Sequence, residues 1–203
     1  ILLQEADFIA PGRVQLRCRR LRHMLEVHRA RPGEELCVGL LGGALGRGRV
    51  DRLDAEALEM DVILDQTPPP KLPLTLVLAL PRPKVLNRTL AAATSLGVRR
   101  IILVNAWRVE KAYWKSPRLE PENLLCQRIV GLEQARDTVL PELELRRLFR
   151  PFAEEELPTL AAESLALLAH PQVSEPCPRG VRGPVTLAIG PEGGWIPQEV
   201  ESF

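Results

Sequence analysis

The residues best suited to binding chemistry lie near the end of the 203-residue sequence, where Pro184 to Val200 reads PVTLAIGPEGGWIPQEV. Val185 to Ile189 is an apolar, partly β-branched run closed by Gly190, the pattern of a buried strand. Gly193 and Gly194 admit backbone angles closed to other residues, so a ligand can approach the main chain and meet bare N–H groups. Pro197 suits the first turn of a helix, with Glu199 and Glu201 just inside it. Strand, bare loop and helix start together read as a cofactor-binding edge. No Gly-Lys-Ser/Thr follows and no Gly-x-Gly-x-x-Gly is present, which excludes a Walker loop and the dinucleotide fingerprint. A plain strand-to-helix connection would use the same residues.

A second concentration of chemistry is cationic. Between Arg17 and Arg31 stand Arg17, Arg19, Arg20, Arg22, Arg29 and Arg31 against the single acid Glu26. Leu21, Met24, Leu25 and His28 fall at helical spacing, so one face can pack while arginines project from the other. Such a face suits RNA phosphates or bulk water equally. His23 and His28 lack a partner for acid–base work and read as packed or surface residues. Trp107 to Arg118 mixes Lys111, Tyr113, Trp114 and Lys115, which suits stacking on bases or packing in a core or dimer. Arg82, Lys84 and Arg88 sit at or just past a strand's carboxyl end, where open α/β sheets place functional loops.

Two kinds of element must position these groups. Up to about Asp65 the pattern is β-rich: Ile1–Leu3, Val14–Leu16, Glu35–Leu41, Arg47–Leu53 and Leu58–Leu64 read as strands, with Gly42, Gly43, Gly46 and Gly48 closing a hairpin. Residues 67–73, TPPPKLP, predict an extended connector between domains 1–66 and 74–203. Beyond it, strands alternate with helices, which argues for a parallel α/β sheet. Strands are expected at Leu74–Leu80, Arg100–Asn105, Ser164–Ala169 and Val185–Ile189, and a short strand and turn at Leu145–Phe152. Helices are expected at Lys84–Leu96, ended by Gly97, at Glu120–Val139, ended by Pro141, and at Glu154–Ala162. His170-Pro171 then ends one core strand beside the glycine loop of the next. Gln172 to Gly183 reads as an irregular, mobile loop.

A hydrophobic content of 45% suffices for a packed core. Net charge is only +1, so nucleic-acid binding must rest on the local clusters. No apolar run reaches the roughly 20 residues of a membrane span. No basic-then-apolar leader is read at Ile1, and a cytoplasmic protein is expected. Cys18, Cys37, Cys126 and Cys177 are scattered without metal-ligand spacing, so buried free thiols are expected, with neither metal nor disulfide.

Several of these stretches resemble one family. IGPEGGW followed by Glu199 resembles the donor loop of SPOUT-class methyltransferases that modify uridine N3 in small-subunit ribosomal RNA. HMLEVHRARPGEEL looks like that family's amino-terminal signature, with Val27, Arg29 and Gly33 at matching positions. LPRPKVLNRTLAAATSLGVRRI follows its Lys-containing turn and Leu-Gly-Val ending, and EQARDTVLPEL matches a Glu-Gln segment through Glu133, Gln134, Arg136 and Pro141. One departure stands out: the family's further Lys and Glu before Leu-Gly-Val are replaced by Ala92 or Ala93 and Ser95.

The resemblance implies a PUA-like RNA-gripping β-barrel followed by a SPOUT α/β trefoil-knot domain. It implies S-adenosylmethionine as donor, no metal, 16S ribosomal RNA of the small subunit as partner, and a homodimer. The donor pocket would be lined by Ala169, His170, Pro171, Ile189, Gly190, Pro191, Glu192, Gly193 and Gly194. RNA would meet Arg19, Arg20, Arg22, Arg29, Arg31, Arg82 and Lys84. Arg29, Arg82 and Lys84 are the candidates for stabilising a uracil anion, and no general base is assigned. In the family a further strand and helix with an Ile-Leu-Arg segment close the knot, and residues up to Phe203 do not include them. The alternatives are an RNA-binding, ribosome-associated protein with a degenerate pocket, or an enzyme of this class with another RNA target.

Overall fold

The computed structural model describes residues 1–171 and 176–203, with side chains for all of them except Arg19, His23, Val27 and His28. The chain divides into two compact units, Ile1–Pro69 with Leu132–Leu140, and Pro70–Gly131 with Pro141–Phe203.

The first unit is a six-stranded sheet. Its elements are β1 (Leu2–Leu3), β2 (Phe8–Ala10), β3 (Arg13–Leu16), α1 (Cys18–His23), β4 (Glu35–Leu40), β5 (Leu45–Leu53) and β6 (Leu58–Gln66). They pair in the order β1-β4-β5-β6-β3-β2. Alternation explains the buried face: Gly46, Gly48 and Val50 point inward from β5 while Arg47 and Arg49 point out. Leu3, Val14, Leu16, Leu58 and Met60 complete a core with no exposed surface. Burial of each such side chain contributes about 1.5–3 kcal/mol.

Gly42, at φ +76°, and Gly43, whose N–H returns to Leu40 O at 2.7 Å, form the β4–β5 turn as expected. Gly46 and Gly48 instead lie inside β5 because the sheet leaves no room there: a Cβ on Gly46 would fall 1.8 Å from the Ile63 carbonyl oxygen. Strand β2 escaped sequence reading because it is three residues long and only half-buried at Phe8.

The Arg-rich segment also departs from a simple amphipathic helix. After α1 the winding widens to a π-turn over Met24–His28. Leu21 and Met24 are buried, but the wider turn carries Leu25 out to 40% exposure. Arg29 then ends the helix at φ +51°, and the Ala30 N–H reaches back to the Met24 carbonyl at 3.1 Å.

The segment read as helix up to Val139 stops at Ala135. Arg136 turns left-handed at φ +53°, and the Asp137 carboxylate accepts the N–H groups of Thr138 and Val139 at 2.6 and 3.1 Å. Thr138 then straps the β4–β5 turn, donating its hydroxyl to Gly43 O at 2.6 Å and accepting the Gly42 N–H at 2.8 Å.

The second unit contains β7 (Leu72–Ala79), α2 (Pro83–Ser95), β8 (Val98–Val104), α3 (Pro121–Ala135, whose last residues count with the first unit) and β9 (Glu142–Arg146). It continues with α4 (Phe149–Pro151), α5 (Leu157–Ala161), β10 (Leu165–Ala169), β11 (Val185–Ile189) and α6 (Pro197–Val200). Five parallel strands run in the order β10-β11-β7-β8-β9. In the interior strand β8 the apolar run Ile101 to Val104 is fully buried, as a strand covered on both faces requires.

Of the short strand and turn expected at Leu145–Phe152, the strand begins earlier and ends at Arg146. Glu142 to Leu145 alternates charge with leucine beside β8, where Glu142 pairs with Arg100 at 2.6 Å, whereas Phe149 and Phe152 enter the helical stretch that runs on to Ala161. The expectation of buried thiols is also corrected: the four cysteines are free, but Cys18, Cys37 and Cys177 are exposed and Cys126 is partly so. No described helix is long and apolar enough to cross a membrane. Part of the loop read between Gln172 and Gly183 lies outside the described residues.

Candidate functional site

The order of strands in the second unit reverses at β7, whose neighbours are β8 on one side and β11 on the other. Ligands of open α/β sheets bind outside the carboxyl ends of strands at such a switch point. Leu78 pairs with both Leu103 and Ile189, and Ile189 with Ala169, so β7, β8, β11 and β10 end together. Their exits place Arg82, Trp107-Arg108, Gly190–Gly194 and His170-Pro171 along one edge. The His-Pro corner and the glycine loop are therefore neighbours. Ala169, Pro171, Ile189, Glu192 and Gly193 are exposed there, while Pro191 is buried.

The loop after β11 is held from several directions. Gly194, at φ +75°, closes a turn by donating its N–H to Pro191 O at 2.8 Å, so that amide is not free for a guest. A Cβ on Gly190 would lie 3.0 Å from Trp195 Nε1 and 3.1 Å from its Cδ1, so the loop passes over this indole only because residue 190 is glycine. Trp195 packs with Phe149 and Phe203 at centroid distances of 6.0 and 4.9 Å. Its Nε1 is buried with no hydrogen-bond partner among the described residues. Arg108 donates to the Gly193 carbonyl, and a Cβ on Gly193 would approach Arg108 Cδ to 3.0 Å. The Glu192 carboxylate accepts the Arg82 N–H at 3.2 Å.

Glu199 is a residue whose role the sequence did not disclose. It is 5% exposed, and its two carboxylate oxygens accept the N–H of Trp107 at 2.7 Å and of Ile196 at 3.0 Å. It caps α6 and pins the loop after β8 to the loop after β11. The sequence signal was its place three residues after Ile196; its partner lies 92 residues away.

The aromatic and basic segment separates by role. Trp114 is buried, donates its Nε1–H to Asn105 Oδ1 at 2.8 Å, and has the Arg147 guanidinium 5.5 Å above its ring. Tyr113 donates its hydroxyl to Glu110 at 2.9 Å; desolvation, then that carboxylate, raises its pKa, which makes it a donor and not a base. Trp107 is 79% exposed. Lys84 and Arg88 are exposed on α2, and Arg82 is its N-cap residue.

In the first unit, Arg22, Arg29 and Arg31 are exposed, while the Arg19 side chain lies outside the described residues. Arg20 is engaged within the fold. Its guanidinium grips the buried Asp7 carboxylate through both terminal nitrogens, one of them at 2.6 Å, and Asp7 also accepts the Gln4 N–H at 2.8 Å. Among the described residues no group of three potential metal ligands is assembled.

Comparison with known proteins adds a consistent result. The profile of the RNA methyltransferase domain matches residues 68–203. The ribosomal RNA small subunit methyltransferase E of Treponema pallidum is 30% identical over 207 aligned residues, covering 98% of this chain and 77% of that protein. Its namesake from Mycobacterium bovis is 26% identical, covering 89% and 71%. A crystal structure of the ribosomal RNA small subunit methyltransferase E of Neisseria gonorrhoeae bound to S-adenosyl methionine superposes with a TM-score of 0.70 over 99% of this chain and 83% of its own. At 23% identity that last likeness is one of fold.

Proposed function

We propose a function from the premise that this chain belongs to the ribosomal RNA small subunit methyltransferase E family: it transfers a methyl group from S-adenosylmethionine to N3 of a uridine in 16S ribosomal RNA. The observation that carries the reading is the glycine loop Gly190–Gly194 beside the His-Pro corner, on the carboxyl edge at the switch point. The donor found in the Neisseria relative supports the choice of cofactor. The residues suit it: Gly193 is exposed, with Arg108 bound to its carbonyl, and the orphaned Trp195 Nε1–H beneath Gly190 offers a donor to an acceptor atom. Ala169 to Pro171 and Ile189 to Gly194 would hold it.

The sulfonium supplies an electrophilic methyl, so that an N–C bond forms at N3 as the S–C bond breaks and a thioether leaves. The protein's task is therefore to place the acceptor in line and to manage the imide proton. N3 gives up that proton to solvent water before or during attack, and negative charge spreads to the flanking carbonyl oxygens. Arg82 and Lys84, on the turn from β7 into α2, are assigned to stabilise it. Arg22, Arg29 and Arg31 of the first unit are assigned to RNA phosphates, with that unit acting as a PUA-like barrel. A knotted SPOUT domain, a homodimer and a cytoplasmic site of action belong to the same reading.

A second reading, RNA binding without transfer, draws on Arg108 lying across Gly193 and on Ala92 or Ala93 and Ser95 where the resemblance leads one to expect charge. Calorimetry separates the two. Wild-type protein should bind S-adenosylmethionine, and Gly193→Val should weaken that binding at least tenfold while leaving RNA binding intact. Absence of donor binding by the wild type would favour the second reading.

A further inference from the structure

We infer that Trp107 is a stacking platform for an unpaired base of single-stranded RNA, an inference that rests on the RNA-directed reading above. Of the three tryptophans, Trp114 and Trp195 are 9% and 3% exposed, whereas Trp107 is 79% exposed. An indole left in water forgoes the burial that normally favours this side chain, and such exposure is characteristic of contact surfaces. The backbone beneath it is fixed. The Trp107 N–H is held by the buried Glu199 carboxylate, and Ala106 and Val109 on either side are buried and joined by the Val109 N–H to Ala106 O bond at 3.0 Å. The ring is thus offered from a rigid turn at the carboxyl end of β8.

Its neighbours in the chain and on the edge favour RNA as the occupant. Arg108 follows it directly and bonds to Gly193 O in the glycine loop, so the platform adjoins the place assigned to the donor. Lys111, Arg82 and Lys84 are exposed on the same edge and supply cations for phosphates. The acids there have partners: Glu110 accepts the Tyr113 hydroxyl and Glu192 the Arg82 N–H. An exposed aromatic on an edge that also carries exposed cations is the arrangement that holds unpaired nucleotides, since every base has a π-face and every linkage a negative charge.

Burial of the other two indoles makes the test direct, because collisional and stacking quenchers reach Trp107 first. Titration of the full-length protein with an unstructured oligouridylate should quench its tryptophan fluorescence. Trp107→Phe should abolish the quenching yet keep most of the affinity measured by anisotropy of a labelled oligonucleotide. Trp107→Ala should lower that affinity roughly 5- to 150-fold, with S-adenosylmethionine affinity unchanged by calorimetry. Unaltered RNA affinity in Trp107→Ala overturns the inference. Protection of the indole from acrylamide as RNA-free protein is concentrated also overturns it, because a second copy of the chain then covers the ring. If wild-type protein transfers no methyl group while its RNA affinity depends on Trp107, the platform stands and the enzymatic reading falls.

Discussion

Arg29 combines an exposed cation with a left-handed backbone at φ +51°, a conformation that costs a non-glycine residue about 1–3 kcal/mol. Arg29→Gly removes the charge and relieves the backbone at once. Stability to urea should stay within about 1 kcal/mol of the wild type or rise, while the slope of log affinity for RNA against log salt should shrink by about 0.7–0.9, one phosphate contact. An unchanged slope would exclude Arg29 from the interface. Arg20 should behave in the opposite way. Arg20→Ala strands the buried Asp7 carboxylate and should lower unfolding free energy by about 1–3 kcal/mol, whereas exposed Arg22→Ala should change it by less than about 0.5 kcal/mol. Equal losses in the two variants would contradict the structural role of Arg20.

At the scale of elements, two contacts hold the second unit's edge and layers. Helices α2 and α3 approach so closely at Gly131 that a Cβ there would lie 2.5 Å from Ala91 O and 2.6 Å from Thr94 Cβ. Gly131→Ala should therefore destabilise by about 1–3 kcal/mol, although alanine is favoured over glycine by about 1 kcal/mol in an open helix. A rise in the denaturation midpoint would show that the helices can part without cost. Glu199 joins two loops, and Glu199→Ala leaves the N–H groups of Trp107 and Ile196 without their acceptor. Amide exchange at Trp107 should accelerate at least tenfold; exchange at the wild-type rate would mean that the clamp is dispensable.

These elements also show where sequence reading succeeds and where it stops. Strand Val185–Ile189 and helix α2 were legible because an apolar run and a 3.6-residue period are local signals, and Gly97 at φ +79° ends the helix as its position predicts. The neighbouring of His170-Pro171 and the glycine loop followed from parallel strands in alternation with helices. Periodicity carried no sign of the π-turn at Met24–His28, nor of the left-handed Arg136 that ends α3. Nor could it pair Arg20 with Asp7, Arg108 with Gly193 or Glu199 with Trp107, since these hydrogen bonds join residues 13, 85 and 92 positions apart. The glycines of the site were visible in advance; the side chains that brace them were not.

At the scale of the whole molecule, each unit contributes a different part of the proposed reaction: exposed arginines for phosphates in the first, and a glycine loop at a switch point in the second. The most direct test is incubation of the full-length protein with labelled S-adenosylmethionine and small ribosomal subunits from a strain lacking the corresponding gene, followed by mass mapping of the modified nucleoside. Label recovered as 3-methyluridine in 16S ribosomal RNA, and abolished by Gly193→Val, is the predicted result. No label in the RNA, or label on a different atom or base, would contradict the account.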